Sequence, residues 1–270
     1  MPRPIALTIA GSDSSGGAGI QADLKTFSAL GVYGASAITA LTAQNTRGVQ
    51  GVHSIPPSFV AAQIVSVLDD LDVRAVKTGM LADAAIIAAV VDCLAERAPN
   101  VPVVVDPVMV ATSGDVLLAR DAIETVRRRL IPRATLITPN LPEAAELLGA
   151  PVARSEAEAR DQLVRLANLG ANAVLLKGGH GSGDEAVDLL AIDGHVIRLA
   201  EPRISTRNTH GTGCTLSAAI AARLALGDDL ETAVRHAKAY VHAAIVAGQD
   251  LGVGRGNGPV DHLFAMESAR

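Results

Sequence analysis

Two spacings of apolar residues alternate along this chain. Compact apolar runs are separated by longer stretches in which apolar positions recur every three or four residues. Residues 5–10 form the first run, ended by Gly11, and predict a buried strand. In 18–30, Ile20, Leu24, Phe27 and Leu30 share a helical stripe, and Gly31 ends it. The run 33–43 predicts a second strand, and the weaker alternation of 48–55 an edge hairpin. Pro57 suits the first turn of a helix over 57–68. Next come a strand over 75–78, a helix over 83–98 capped by Asp83, a strand over 101–105 ending at Asp106, a helix over 121–130 and a strand over 136–138. A short helix over 141–148 precedes another that starts at the capping box Ser155-x-x-Glu158. After the strand 173–177, segments 187–192 and 195–199 flank Asp193-Gly194, a strong hairpin turn. Helices over 217–226 and 230–246 follow, and 252–258, with four glycines in seven residues, reads as a loop.

Strands that alternate with helices predict an α/β fold, with a mainly parallel central sheet, helices on both faces and a small edge hairpin. No linker or internal repeat is evident, so residues 1–270 are read as a single domain. In open sheets of this kind, ligand sites form at the carboxyl ends of the strands. Gly11, Thr78-Gly79, Asp106, Asn140 and Lys177-Gly178 each follow a predicted strand and can converge on one edge.

Composition narrows the function classes. Apolar residues are 49% of the chain, enough for a substantial core, but aromatics are 2% and Trp is absent, so that core must be Ala, Val, Leu and Ile. A net charge of −5 without a basic run argues against nucleic acid or an anionic membrane as a partner. No charged-then-apolar leader and no apolar stretch of about 18 residues is visible, so neither secretion nor a membrane span is expected. Two distant cysteines make no disulfide framework, and a reducing cytoplasm is the expected location. Cys93, in an apolar run, is expected in the core.

The densest chemistry lies in Thr206-Arg207-Asn208-Thr209-His210-Gly211-Thr212-Gly213-Cys214-Thr215-Leu216. Gly211 and Gly213 let the backbone bend and approach a ligand, and the helix that follows offers unpartnered N–H groups at its positive end. This is a site for a phosphate or for developing negative charge, and a thiol there, Cys214, is expected to have a lowered pKa. A second glycine pattern, Gly17-Ala18-Gly19-Ile20-Gln21-Ala22, matches a dinucleotide turn, but Gly11 to Gly16 separate it from its strand, which argues against that use. No GxxxxGK[ST] is present, so the chain is not a P-loop enzyme.

The stretch Asn208-Thr209-His210-Gly211-Thr212-Gly213-Cys214 is similar to the anion-hole motif of the ribokinase-like kinases. Cys in place of their usual Asp resembles the hydroxymethylpyrimidine/phosphomethylpyrimidine kinases of thiamine biosynthesis. Ala10-Gly11-Ser12-Asp13 through Gly16-Gly17-Ala18-Gly19-Ile20-Gln21-Ala22-Asp23, Leu41-Thr42-Ala43-Gln44-Asn45-Thr46, Lys77-Thr78-Gly79-Met80-Leu81 and Thr138-Pro139-Asn140-Leu141-Pro142-Glu143 agree with that family, in its order and over essentially the whole chain.

The resemblance implies a ribokinase-like fold, use of ATP and Mg²⁺, a small aminopyrimidine as acceptor and a homodimer. It places Gly211, Gly213 and Cys214 at the chemistry, with Cys214 taking the hydroxyl proton. Gly11, Asp23, Gln44 and Met80 would bind the pyrimidine. Asn140, Lys177, Thr209 and Thr212 would bind ATP, and Glu143 and Asp106 the metal. From the residues alone other readings stay open. Asn140-x-x-Glu143 is also a helix capping box. Asp106 also suits a turn, Asp23 a solvent-facing helix acid and Lys177 a solvated surface lysine. His180 and His210 read as hydrogen-bonding loop residues, since no His or Cys stands at metal-ligand spacing. Gly254-Arg255-Gly256-Asn257-Gly258-Pro259 resembles the family's C-terminal loop. The rival functions are a pyridoxal kinase of the same fold and a non-catalytic pyrimidine-binding sensor. The base, the lysine, the N-x-x-E motif and the glycines occur together here, which weighs against a sensor.

Overall fold

A computed structural model describes residues 2–109, 122–179 and 183–267. The chain runs β1 (Ile5–Ala10), α1 (Gly19–Ala29), β2 (Tyr33–Ile38), β3 (Ala40–Asn45), β4 (Gly48–Ser54), α2 (Pro57–Leu68), β5 (Val73–Thr78), α3 (Ala84–Arg97) and β6 (Val103–Val105). It continues through α4 (Ala122–Thr125), β7 (Leu136–Ile137), α5 (Leu141–Leu148), α6 (Glu156–Ala167), β8 (Ala173–Lys177), β9 (Glu185–Ile192), β10 (His195–Pro202), α7 (Thr212–Leu226) and α8 (Leu230–Ala247).

Eight strands form one sheet in the order β10-β9-β8-β7-β6-β5-β1-β2. From β8 to β2 every neighbouring pair is parallel, with Leu7 opposite Val76, Val76 opposite Val103 and Val105 opposite Ile137. The β9–β10 hairpin closes one edge in antiparallel register around Asp193, which takes the left-handed φ of +49° its turn requires. Apolar runs suit parallel strands because both faces are covered. Leu7, Ile9, Val76, Val103, Val105 and Ile137 face one core with α2, α3, α5 and α6. Ala6, Ala75, Val104, Leu136 and Leu175 face the other with α1, α7 and α8.

Helix α7 is apolar on nearly every side. Ala218, Ala219, Ile220, Ala221 and Ala222 are all fully buried. It packs on β1, β5 and β6 and also against α1 and α8, and its small side chains allow a close approach to the sheet. That contact brings its first turn to the carboxyl ends of the central strands. The apolar run predicts a helix from 217; it begins at Thr212, so the glycine stretch is itself the first turn.

Two further expectations change. The run 33–43 is not one strand. It splits at Thr39, whose N–H and hydroxyl donate to the carbonyls of Ala10 (3.0 Å) and Met80 (2.6 Å). β1 ends at Ala10; beyond it Ser12 still donates to Ala40 O (2.9 Å), but the parallel register stops, and β3 leaves the main sheet and pairs antiparallel with β4 as a separate ribbon. Within 121–130, Asp121 lies outside the described residues, and the helix from Ala122 widens into a π turn at Val126–Leu130. No helix among the described residues is long and apolar enough to cross a membrane.

Candidate active site

A cavity of about 870 Å³ opens at the carboxyl edge of the sheet. Twelve of the thirteen residues singled out above line it. They are Gly11, Gln44 and Met80, then Asp106, Asn140, Glu143 and Lys177, and Thr209, Gly211, Thr212, Gly213 and Cys214 from the start of α7. The exception is Asp23, which is not part of the wall. It is fully buried behind it, where both its oxygens meet Lys77 Nζ (3.0 and 2.8 Å) and Thr8 donates to one of them (2.6 Å). A direct contact of Asp23 with a ligand in this cavity is therefore corrected: its carboxylate is already engaged.

The first turn of α7 has the geometry of an anion site. Gly211, its N-cap, has φ +81°, and a Cβ there would fall 1.9 Å from the Gly17 carbonyl oxygen. Thr212 N donates to Thr209 O and Thr215 N to Gly211 O, which leaves the amides of Gly213 and Cys214 without a backbone partner among the described residues. The α-carbon of Gly213 faces the carboxylate cluster: a Cβ on it would lie 3.4 Å from Lys177 Nζ and 3.7 Å from Asp106 Oδ2.

Lys177 ends β8 and reaches Asp106 Oδ1 at 2.7 Å and Glu143 Oε2 at 4.0 Å. Thr138 also donates to Asp106 Oδ1 (3.1 Å), and Ser217 to its other oxygen (3.3 Å). Burial raises the Asp106 pKa, but Lys177 and Lys77 outweigh it and hold the carboxyl below its ordinary value. For Glu143 burial wins: against Lys177, and with the help of the Asp106 charge, it pushes the pKa up to about 7. Burial works against the Lys177 ammonium, yet Asp106 and Glu143 raise it above the usual lysine value. Asn140 and Glu143 do form a full capping box. Glu143 N donates to Asn140 Oδ1 and Asn140 N to Glu143 Oε2, each at 2.8 Å. The box orients the Glu143 carboxylate, which still lines the cavity.

The lowered pKa expected for Cys214 is also corrected. Burial pushes its thiol up to about 11. Lys77 and a hydrogen bond from the Gly19 amide pull the other way, while the charges of Asp23 and Asp106 add to the rise. A helix start acts locally, and the desolvation of the tertiary site outweighs it.

On the pyrimidine side of the expected site, Gly11 makes room for Met80. A Cβ on Gly11 would sit 3.3 Å from Met80 Sδ. Thr42 Oγ1 donates to Gln44 Oε1 (3.1 Å), which turns the amide edge of Gln44 into the cavity region beside His210 (3.5 Å). Sequence reasoning expected a hydrogen-bonding loop residue at His210 but missed its partner. Asp13 and His210 form a pair at 2.8 Å, both in the cavity wall, although 197 residues separate them. Asp13 also accepts from Ser15 N and Oγ and from the amides of Gly17 and Ala18, which folds the loop after β1 around its carboxylate. These bonds, His210 first, hold Asp13 well below the usual carboxylate range although burial opposes them. Asp13-Ser14-Ser15 suits an Asx turn, but nothing in that pattern points to His210. Lys77 is the other missed group. A lysine directly after the buried Ala75 and Val76 of β5 is the available signal, because it needs a buried partner. His180 lies outside the described residues.

Residues 13–261 match the family described as phosphomethylpyrimidine kinase. The chain belongs to that family. It is 58% identical over 259 residues to the hydroxymethylpyrimidine/phosphomethylpyrimidine kinase of Rhizobium meliloti, covering 96% of this chain and 97% of that one. Its fold is similar to the crystal structure of an ADP complex of Bacillus subtilis pyridoxal kinase, with TM-score 0.89, 38% identity and coverage of 97% and 98%. It is also similar to phosphomethylpyrimidine kinase from Clostridium difficile, with TM-score 0.79, 45% identity and coverage of 90% and 100%. The family's kinases are phosphotransferases of the ribokinase-like fold, and the sheet order and both helical layers described above are that fold.

Proposed function

We propose that this chain transfers the γ-phosphoryl group of ATP to the hydroxymethyl oxygen of 4-amino-5-hydroxymethyl-2-methylpyrimidine, and then a second phosphoryl group to the monophosphate. The observation that carries the reading is the first turn of α7. Its amides at Gly213 and Cys214, without a backbone partner among the described residues, share one cavity with Gly11, Gln44 and Met80 and with Lys177, Asp106 and Glu143, and Gly213 faces Lys177 and Asp106 directly. The relative from Rhizobium meliloti bears the name of this activity.

Phosphoryl transfer depends on position and charge stabilisation. In this reading the amides of Gly213 and Cys214 hold the transferring group, Lys177 neutralises the phosphate tail, and Asn140, Thr209 and Thr212 line its path. Gln44 reads the ring by hydrogen bonds and Met80 gives an apolar wall. The donor set suits Mg²⁺, which takes one or two carboxylates and keeps much of its water. Asp106 and Glu143 are two buried carboxylates sharing one ammonium, and burial with the Asp106 charge pushes the Glu143 pKa up to about 7. When bound there, the ion would supply charge neutralisation to the phosphates. The acceptor oxygen bonds to the γ-phosphorus as the bond to the bridging oxygen breaks and ADP leaves. The acceptor proton passes to the Cys214 sulfur, so the reactive form of Cys214 is its thiolate. A loose transition state needs this base late.

The reading includes a single kinase domain acting as a cytoplasmic homodimer, whose assembly sedimentation would test. Pyridoxal is the alternative acceptor, favoured by the likeness to the Bacillus subtilis enzyme. Turnover of ATP with the pyrimidine, its monophosphate and pyridoxal side by side separates the two. Cys214→Ala should melt normally, bind pyrimidine and lose about 10²–10⁴ in kcat. Normal melting with near-parental kcat would remove Cys214 from the mechanism.

A further inference from the structure

Thr215 follows Cys214 directly and is fully buried. Its amide and its hydroxyl both donate to the Gly211 carbonyl oxygen, each at 2.8 Å. That carbonyl belongs to the peptide that opens the first turn of α7, so the hydroxyl helps to fix the plane from which the Gly213 and Cys214 amides follow. The same hydroxyl has another neighbour. His262 Nε2 lies 3.0 Å from Thr215 Oγ1, across 47 residues, and the imidazole is buried. A hydroxyl has one hydrogen, and Gly211 O takes it, since a carbonyl only accepts. The Thr215 oxygen therefore accepts from His262, which assigns the ring proton to Nε2. Burial, with the Lys25 charge adding to it, pushes the imidazole pKa down to about 4, so the ring is neutral and this is its one N–H.

His262 is itself held in place. Tyr240 on α8 donates its hydroxyl to the His262 carbonyl (2.6 Å), and Asp261 N donates to Ala244 O on the same helix (3.0 Å). Upstream, the same segment meets the other end of the glycine motif. His210 N donates to Gly258 O (3.0 Å), and Gly258 N to Asn208 Oδ1 (3.2 Å). The C-terminal segment thus grips the motif both before Gly211 and after Cys214. A side chain needed here only for packing would be apolar, because a buried N–H without a partner is costly. Neither His262 nor Thr215 lines the cavity, so any influence they have on a ligand passes through the turn. We infer that His262 is a positioning residue for the phosphoryl-transfer turn: its Nε2–H, bonded to Thr215 Oγ1, sets the Gly211 peptide and with it the direction of the Gly213 and Cys214 amides. This rests on the proposed transfer at that turn.

Steady-state kinetics and thermal melts of His262→Leu, His262→Gln, Thr215→Val and the double variant His262→Leu with Thr215→Val test this. Misplacing a catalytic turn by about 1 Å costs about 10²-fold in rate, so His262→Leu should lose roughly 10–10² in kcat. KM for both substrates should stay within about twofold, because the lost interaction acts on the transferring group alone. His262→Gln keeps a side-chain N–H donor and should recover most of the loss. Thr215→Val removes the acceptor and should cost at least as much as His262→Leu. The double variant should be no slower than Thr215→Val, since the two substitutions break one shared bond. A folded His262→Leu with near-parental kcat overturns the inference, as does a His262→Gln equally slow or a double variant in which the two losses multiply. His262→Met is a second apolar variant should leucine unfold the chain, and near-parental kcat in it has the same meaning. A parent protein that phosphorylates neither the pyrimidine nor pyridoxal would overturn the proposed function instead.

Discussion

Helix α7 starts and ends on a glycine in the left-handed region, Gly211 at φ +81° and Gly227 at φ +100°. Substituting alanine at each compares backbone strain with steric displacement in one helix. At Gly227 a Cβ would meet nothing within 4 Å, so the cost is the left-handed conformation alone, roughly 1–2 kcal/mol. For a chain of this size that is a fall in Tm of about 2–4 °C per kcal/mol. At Gly211 the same strain applies, but the Cβ would also lie 1.9 Å from Gly17 O and 2.9 Å from Gly17 C. Gly17 cannot retreat freely. Its amide is bonded to Asp13, and the His210 ring stands so close on its other side that a Cβ on Gly17 would lie 2.5 Å from it. The first turn of α7 must therefore move, by about 1 Å or more, and misplacement on that scale costs about 10²-fold in rate. Losing a preorganised donor at the transferring group costs about 10²–10³. Gly211→Ala should thus lose at least 10² in kcat and melt lower than Gly227→Ala, which should keep near-parental kcat. The measurement is kcat for both variants at saturating substrates beside a thermal melt. Equal activity in the two would show that the close packing of Gly211 on Gly17 does not hold the catalytic turn, and the anion-site argument would fail.

Glu143 yields a pH prediction. Its folded pKa, about 7, is raised above the ordinary value of 4.5, so its contribution to the stability of the ligand-free protein is fully present below about pH 4.5 and is lost as pH rises toward 7. Glu143→Gln should flatten the melting temperature across that window and weaken the response of activity to Mg²⁺. A parental pH slope in that variant would sink the burial argument. Lys177→Met should raise the KM for ATP and destabilise the fold by about 3–5 kcal/mol, because Asp106 is left buried without its 2.7 Å partner; unchanged ATP kinetics and melting would make Lys177 an incidental surface group.

How much of this could be read along the chain depended on the range of the interaction. Local rules sufficed for the strands, whose apolar runs reflect a sheet covered on both faces, and for the caps. Asp83, Ser155 and the Asn140–Glu143 box each bond amides within three residues. The same locality made the site's components recognisable. A residue directly after a parallel strand stands at the carboxyl edge of the sheet wherever that strand is placed. Other features were set by partners far apart in sequence. The run 33–43 carries no mark at Thr39; it divides there because β1 ends at Ala10. Asp23 has the look of a solvent-facing helix acid until Lys77 is found on it, and the Asp13–His210 pair depends on α7 docking beside the loop after β1. Cys214 shows the difference most directly. The helix start that favours its thiolate is encoded in a few residues, whereas the burial that raises its pKa, and the charges of Asp23 and Asp106 that add to it, exist only in the folded chain. Backbone geometry and capping are short-range and are written in sequence; burial and the balance of buried charges are sums over the whole fold, so the tertiary structure alone decided them.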